Sequence, residues 1–203
     1  MGQRIGIFGG TFDPIHVGHL VAAVNAKHAL GLDRVILVVA NVPWQKAGER
    51  VVTSAEDRYA LVKAAVGDVE GLEAGRQEID RGGESYTADT LAEIAADTAG
   101  VGNGGAELFL VVGADVASEL GSWERLEEVK ALATLVVVNR PGAGRPEGLD
   151  GEGWRVEDVT VPNLEISSTD LRRRAADGRP LDYLVPQAAV RVIRARGMYA
   201  GER

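Results

Sequence analysis

The sequence contains no cysteine among its 203 residues. This absence excludes a disulfide framework, a thiolate metal site and a cysteine nucleophile, so any catalysis must use other groups. A chain without cysteine agrees with a reducing cytosol, and its first residues lead from Met1 into an apolar stretch at 5–8 without the basic and apolar leader of an exported protein. We therefore expect a cytoplasmic location.

Long apolar runs and an excess of positive charge are also lacking. No apolar run approaches the roughly 18 residues that a membrane-spanning helix requires, which predicts no membrane association. Lys and Arg number 22 against 30 Asp and Glu, giving a formal net charge of −8. Because a surface that follows nucleic-acid phosphates needs an excess of Lys and Arg, we expect no nucleic-acid partner and only local phosphate binding.

What the sequence does contain is an alternation of strand-like and helix-like segments. A strand over residues 5–8, a helix over 17–30 and a strand over 35–39 make one unit of the length that a parallel crossover needs. Further segments predict helices over 55–66, 88–99, 168–177 and 186–196 and apolar strands over 107–112 and 134–138. The pattern predicts a single α/β domain over residues 1–203, with a Rossmann-like, doubly wound, mostly parallel sheet and C-terminal helices.

Local signals support parts of this assignment. Ser54, followed three places on by Asp57, is expected to cap the helix at 55, and Thr87 is expected to precede the helix at 88. Glycine-rich stretches at 100–105 and 141–153 are typical of loops, and strand-like segments on both sides of each indicate loops within one sheet. In doubly wound sheets, ligands bind beyond the carboxyl ends of the strands.

One such end carries the most informative stretch of the sequence, which runs from Gly9 to His19 between the first strand and the first helix. Its paired glycines allow backbone to approach a ligand closely, and the free N–H groups of a helix start attract anions. His16 and His19 lie three residues apart where the helix begins, so both rings can face one bound group as hydrogen-bond donors or as imidazolium charges. The stretch predicts a phosphate-binding loop.

Two other interpretations of the histidine pair remain open at this point. The rings could cap the helix or fill a polar pocket. They could also bind zinc, although no third ligand is obvious, because His28 lies two helical turns beyond His19 and thiolates are absent.

A second phosphate-binding candidate spans residues 166–172. Ser167, Ser168 and Thr169 offer hydroxyl and N–H groups at a helix start, and Arg172 adds a forked cation one turn later. The alternative is simple N-capping of a basic surface helix that carries Arg172, Arg173 and Arg174.

Together and in this order, the stretches at 10–19 and 166–172 resemble the signatures of the nucleotidyltransferase superfamily that carries a T/H-x-G-H motif. The resemblance implies a nucleotidyltransferase-type Rossmann-like fold. It also implies ATP with Mg²⁺ and direct attack on the α-phosphorus, with pyrophosphate as the leaving group.

Within that superfamily the chain resembles the nicotinate mononucleotide adenylyltransferase family over nearly its whole length. The similar stretches are residues 80–91, 113–115 with Trp123, 138–142, 183–186 and 197–199. Shorter transferases for pantetheine phosphate and glycerol phosphate share the first motif but lack the Tyr-Thr-x-Asp-Thr-Leu stretch that begins here at Tyr86. The resemblance implies that the substrates are ATP and nicotinate mononucleotide.

The resemblance also implies roles for individual residues. The catalytic candidates are His16, His19, Lys46 and Arg172. The candidates for ATP binding are Gly9, Gly10, Thr11, Phe12, Gly18, Gly113, Asp115, Ile166, Ser167, Ser168 and Thr169. The candidates for nicotinate mononucleotide binding are Asp13, Ser85, Tyr86, Thr87 and Trp123. Mg²⁺ is expected on the ATP phosphates, touched by Asp13 or Asp115, rather than in a metal site made by the protein.

In this scheme Trp123 stacks on the nicotinate ring, and groups near Tyr86 and Thr87 receive its carboxylate. Without the family match, Trp123 would be read as an ordinary core aromatic. One departure stands out, because Trp44 and Gln45 replace the second proline and the histidine of the family's Pro-Pro-His-Lys segment. Trp44 could make this segment a lid, and Lys46 still fits a contact to the β- or γ-phosphate.

Two rival functions remain at this stage. One is transfer of a nucleotidyl group to a different phosphorylated acceptor, and the other is a nucleotide sensor that binds without turnover. The sequence leaves the oligomeric state open, homo-oligomers included.

Overall fold

The computed structural model describes residues 2–42, 52–99, 105–142, 149 and 153–200. The chain divides into two compact units. The first comprises Met1–Gly9, Ala22–Ile36 and Tyr86–Asn163, and the second comprises Gly10–Val21, Leu37–Ser85 and Leu164–Arg203. The single domain over residues 1–203 stays a prediction.

The described residues form six strands and eight α-helices. The strands are β1 (Arg4–Gly10), β2 (Arg34–Val39), β3 (Leu72–Gly75), β4 (Glu107–Gly113), β5 (Ala133–Asn139) and β6 (Val156–Thr160). The helices are α1 (Val17–Leu30), α2 (Ala55–Val66), α3 (Gln77–Arg81), α4 (Thr87–Thr98), α5 (Ala114–Ala117), α6 (Leu126–Leu132), α7 (Ser168–Ala176) and α8 (Gln187–Arg196), with a 3₁₀ turn at Leu120–Ser122. None of these helices is long and apolar enough to cross a membrane.

The strands form one parallel sheet in the order β3-β2-β1-β4-β5-β6, flanked by helices. An order that starts near the middle and proceeds outward in both directions defines the doubly wound, Rossmann-like arrangement. The predicted fold class is therefore confirmed. The parallel register pairs Ile5 with Leu108 and Leu108 with Ala133.

The first unit is built on its central strands. Residues 108–112 of β4 and 133–137 of β5 are buried, which explains why these segments read as continuous apolar runs. The pairing of β5 with β6 adds an outer strand of which only Val159 is buried. The weak apolar pattern of β6 explains why the sequence did not predict it.

In the second unit, α2 packs against α8 and β3. Ser54 caps α2 as predicted, because its Oγ accepts a hydrogen bond of 3.1 Å from the backbone N–H of Asp57. The same hydroxyl donates to Oδ2 of Asp57, and Arg196 at the end of α8 lies 2.5 Å from Oδ1. These hydrogen bonds, Ser54 first and then Arg196, lower the pKa of Asp57.

Two predicted helix starts were wrong by one residue. Helix α4 begins at Thr87, with Tyr86 as its N-cap, so Thr87 lies inside the first turn. Helix α8 begins at Gln187 with Pro186 as its N-cap, and it ends as predicted at Gly197, whose φ of +61° suits glycine. The short elements β3, α3, α5 and α6 were not predicted.

Loss of the Ser54 cap should destabilise the protein. Ser54→Ala removes the acceptor for the Asp57 N–H, which should lower the free energy of unfolding by about 1 kcal/mol. Ser54→Thr keeps a hydroxyl and should lose less than half of that amount. Urea unfolding of the three proteins measures the effect, and equal midpoints for the Ala and Thr variants would contradict it.

Candidate active site

The first predicted motif lies where β1 ends and α1 begins. Strand β1 extends through Gly10, so Gly9 and Gly10 belong to the strand and not, as expected, to the loop after it. A Cβ at Gly10 would lie 2.8 Å from the ring of Phe12, so this position requires glycine. A Cβ at Gly9 would have no atom of the described residues within 4 Å, which leaves this backbone open to close approach.

The structure brings the two predicted histidines together. The rings of His16 and His19 are stacked, with centroids 3.7 Å apart and planes inclined by 26°. His16 immediately precedes α1, and its backbone N–H donates a hydrogen bond of 3.2 Å to Nδ1 of His19. Phe12 packs edge-on against His19 at 5.0 Å. These contacts fix both rings at the N-terminus of α1.

Burial determines the charge of His16. Its side chain is 7% exposed, and burial lowers its pKa to about 4. His16 is therefore neutral near pH 7, which corrects the expectation that it could contribute an imidazolium charge and leaves its role as a hydrogen-bonding group. Its buried Nδ1 has no hydrogen-bond partner among the described residues.

Gly18 makes room for this ring. A Cβ at Gly18 would lie 3.0 Å from Nδ1 of His16 and 3.1 Å from its Cε1. The sequence suggested Gly18 as an ATP-binding residue, and the structure shows it packed against the histidine. The ATP role stays a prediction.

Asp13 is buried in the middle of the loop. It is 1% exposed, and its Oδ1 accepts a hydrogen bond of 2.8 Å from the Tyr199 hydroxyl. Its Oδ2 lies 3.5 Å from the backbone N–H of Thr53. Because protein donors occupy this buried carboxylate, it is placed to hold the loop. Its predicted contact with nicotinate mononucleotide or Mg²⁺ stays a prediction.

The second predicted motif is bound to the first. The Ser168 hydroxyl donates 2.9 Å to the Pro14 carbonyl, and Nη1 of Arg172 donates 2.7 Å to the Asp13 carbonyl. Nη2 of Arg172 donates 3.1 Å to Oγ1 of Thr169. Arg172 and Ser168 thus hold the loop that contains the histidines, and their predicted phosphate contacts stay predictions.

Ser167 has a different role in the same motif. Its Oγ accepts a hydrogen bond of 3.2 Å from the Asp170 N–H and caps α7. The capping interpretation therefore holds for this residue. Ser167 and Thr169 are exposed and Ile166 is half-buried, so their predicted contacts with ATP remain predictions.

Sequence reasoning missed Arg58 of α2, which is 1% exposed. Its guanidinium donates to three backbone carbonyls, those of Thr53 at 2.8 Å, Thr11 at 2.8 Å and Asn41 at 3.0 Å. It therefore ties the histidine loop to the segments after β2 and before α2. One available signal was periodicity, because residue 58 precedes the buried Leu61, Val62, Ala65 and Val66 at helical spacing.

Asn41, which follows β2, holds Ser85, a candidate for nicotinate mononucleotide binding. Its backbone N–H donates 2.9 Å to the Ser85 Oγ, and its Nδ2 donates 2.9 Å to the Gly83 carbonyl. A backbone bridge between Val42 and Glu84 extends this pairing. The segment before Tyr86 is thus held at the carboxyl end of β2.

In the first unit, an ion-pair cluster links the Trp123 segment to the start of α4. Arg125, in the left-handed conformation at φ +57°, contacts Asp89 of α4 and lies 2.6 Å from Glu128. Thr87 lies in that same first turn of α4. Trp123 is half-buried, and its buried Nε1 has no hydrogen-bond partner among the described residues.

The other residues predicted from the sequence are described by their positions alone. Gly113 ends β4, and Asp115 is exposed on the short helix α5. Lys46, Trp44 and Gln45 lie outside the described residues. Among the described residues, no cluster of three or more His, Asp or Glu side chains could hold a metal ion.

Comparisons with known proteins agree with this architecture. The model of the cytidylyltransferase-like family matches residues 7–174. The probable nicotinate-nucleotide adenylyltransferase of Acidothermus cellulolyticus is 44% identical, over 97% of this chain and 94% of its own length. That of Streptomyces coelicolor is also 44% identical, over 96% of this chain and 100% of its own length.

A solved structure supports the fold. Plasmodium falciparum nicotinic acid mononucleotide adenylyltransferase complexed with NaAD has a TM-score of 0.75 at 15% identity, over 97% of each chain. The chain belongs to the cytidylyltransferase-like family and, within it, to the nicotinate-nucleotide adenylyltransferases, which are nucleotidyltransferase enzymes.

Acidification should destabilise the protein through His16. Its pKa falls from 6.5 in the unfolded chain to about 4, so between these values the unfolded state binds a proton that the folded state does not. Stability therefore falls as the pH decreases, by about 2 kcal/mol between about pH 7.5 and pH 5. Urea unfolding at both pH values should show this additional loss in wild type relative to His16→Gln, which does not titrate. Equal losses would contradict it.

Proposed function

We propose that the protein transfers the adenylyl group of ATP to nicotinate mononucleotide, forming nicotinate adenine dinucleotide and pyrophosphate. The observation that carries the proposal is the stacked pair of His16 and His19, held at the start of α1 in a chain related over nearly its whole length to proteins named for this reaction. Solved relatives with this fold carry NaAD in one case and APC in another.

The reaction needs little covalent chemistry from the protein. An oxygen of the 5′-phosphate of nicotinate mononucleotide attacks the α-phosphorus of ATP, and the bond from that phosphorus to the bridging oxygen breaks. Pyrophosphate leaves with the bonding electrons, so no covalent enzyme intermediate forms. A phosphate monoester is already a nucleophile near pH 7, so the protein mainly aligns the substrates and stabilises charge at the reacting phosphate.

The histidine pair suits this task. Because His16 is neutral near pH 7, it offers one ring N–H as a hydrogen-bond donor. A positive charge there would stabilise bound ATP and the transition state alike, which would not speed the reaction. The stacked His19 ring is fixed beside it. We propose that both rings face the α-phosphate and that the open backbone at Gly9 lets the nucleotide approach β1.

Enzymes of this family generally use a divalent metal ion with ATP. We propose Mg²⁺, held mainly by the phosphates of the nucleotide and touched by Asp13 or by the exposed Asp115. When bound, the ion would neutralise charge on the leaving pyrophosphate. Lys46 is proposed to share this role.

For the acceptor, we propose recognition by residues of the first unit. Trp123 would stack on the nicotinate ring, and backbone N–H groups at the start of α4, with the Thr87 hydroxyl, would receive its carboxylate. The Arg125–Asp89 ion pair fixes the Trp123 segment to that turn. We place this reaction in the cytoplasm, where ATP is available.

Replacing either histidine of the pair should slow turnover more than it weakens ATP binding. Donors aimed at the reacting phosphate matter most in the transition state, so His16→Ala and His19→Ala should each lower kcat by about 10²-fold or more. The control is His28→Ala, an exposed position in the last turn of α1, which should leave kcat unchanged. Steady-state pyrophosphate release measures all three. Turnover within a few-fold of wild type in both pair variants would refute their role.

The test of the proposed function itself compares nicotinate mononucleotide with the amide nucleotide. An amide NH₂ would oppose donors that suit a carboxylate, and an unpaired buried donor costs about 1–3 kcal/mol in addition to the lost charge-assisted bond. We expect kcat/KM, measured as pyrophosphate release from ATP, to favour the acid by about 10²-fold or more. Equal values would reject the specificity and leave a broader adenylyltransferase.

Two variants separate the parts of the acceptor site. Trp123→Ala should raise KM for both nucleotides, because ring stacking does not distinguish acid from amide. Thr87→Val removes only the hydroxyl and should reduce the ratio between them. An unchanged ratio would assign the discrimination to the backbone N–H groups of α4.

A further inference from the structure

The peptide segment Asp13–Pro14 accepts hydrogen bonds from donors in distant parts of the second unit. The Asp13 carbonyl accepts from Arg172, and the Pro14 carbonyl accepts from Ser168. The Asp13 carboxylate accepts from the Tyr199 hydroxyl at 2.8 Å and from the Thr53 N–H at 3.5 Å. Among the side-chain donors of this set, Tyr199 is the residue to which the sequence assigned no chemical role.

Tyr199 is itself held in place by the end of α8. Gly197 ends the helix at φ +61°, and the Met198 N–H donates 3.0 Å to the Ile193 carbonyl. Tyr199 then adopts the left-handed conformation at φ +60°, uncommon for a residue with a side chain, and its half-buried side chain reaches the Asp13 carboxylate. Such a backbone conformation persists where the surrounding contacts determine it.

In the hydrogen bond between Tyr199 and Asp13, the hydroxyl is the donor and the carboxylate is the acceptor. Burial first, and then the Asp13 charge and the hydrogen bond to it, raise the pKa of Tyr199 far above its ordinary value, while Thr53 and the Arg172 charge act in the opposite sense. The hydroxyl therefore keeps its proton and donates to the carboxylate. A hydrogen bond to a charged acceptor in a buried setting is stronger than one between neutral groups.

We propose that Tyr199 is a positioning residue for adenylyl transfer. By holding the Asp13 carboxylate, it fixes the loop whose next residues carry the stacked histidines, and it acts on the reaction only through Asp13. The inference rests on the proposed function for its effect on turnover, while the effect of the Tyr199–Asp13 hydrogen bond on the loop can be measured without substrate.

The kinetic test is a double-mutant cycle of Tyr199→Phe, Asp13→Asn and the double variant. Tyr199→Phe keeps the ring and removes the hydroxyl, and should lower kcat for pyrophosphate release about 10-fold, because small displacements of catalytic groups are costly. KM for ATP should change less than about threefold. If Tyr199 acts through Asp13, adding Tyr199→Phe to Asp13→Asn should change kcat less than about twofold.

Tyr183→Phe is the matched control. Tyr183 has a similar left-handed backbone, at φ +64°, but its residue is 95% exposed. Loss of its hydroxyl should leave kcat and KM at wild-type values. A Tyr199→Phe variant with kcat within twofold of wild type, or effects that multiply independently in the cycle, would overturn the proposal.

Hydrogen exchange of the free protein separates this proposal from the proposed function. Tyr199→Phe should accelerate exchange of amides in residues 10–19 at least about 10-fold while those of β4 and β5 keep wild-type rates. Uniform acceleration would indicate general destabilisation and overturn the positioning role. If wild type released no pyrophosphate but the local acceleration were present, the proposed reaction would be refuted. The stabilisation of the loop by Tyr199 would still be supported.

Discussion

The buried guanidinium of Arg58 is the interaction on which the arrangement of the second unit depends. Removing a cation from water is costly, and the cost is offset only when its N–H groups are satisfied by hydrogen bonds. The carbonyls of Thr11, Asn41 and Thr53 accept three of them. A planar fork can reach three backbone segments at once, which the single ammonium of lysine cannot reproduce. The positions of those segments follow from this requirement.

Thr53 and Thr11 carry the constraint to the histidines. The Thr53 carbonyl accepts a hydrogen bond from Arg58, and the Thr53 N–H donates to Asp13. Thr11 immediately precedes Phe12 in the chain, and the Phe12 ring packs on His19. Arg172 and Ser168 add hydrogen bonds to the carbonyls of Asp13 and Pro14 in the same loop. The site is thus preorganised by backbone contacts, and its electrostatic character comes from a histidine that burial keeps neutral.

Local patterns were sufficient to predict much of the fold. The spacing of apolar residues identified α1 and the central strands, and Gly197 and Ser54 marked helix ends through chemistry that acts over a few residues. The start of α4 was predicted one residue too late, because the Thr87 side chain is typical of a cap, whereas Tyr86 occupies that position. Short β3 and β6 have too little apolar periodicity to stand out.

The candidate site was predicted as a set of motifs but not as a network. The two histidines and the late motif were recognisable, and the structure brings both motifs together. The partners of Arg58, Arg172 and Tyr199 lie up to 47, 159 and 186 residues away along the chain, and no local signal specifies such pairings. For this reason the buried acceptor role of Asp13 could be seen only in three dimensions.

The long separation between Asp13 and Tyr199 also affects how the protein matures. Synthesis proceeds from the N-terminus, so the loop at residues 10–19 is made early and waits for α7, α8 and finally residue 199 before its donors exist. Contacts between such distant segments form late, because closing long loops must come before the contacts that stabilise them. A nascent chain therefore completes its sheet strands while the histidine loop lacks these donors, and the loop gains its full set of contacts only after residue 199 has been made.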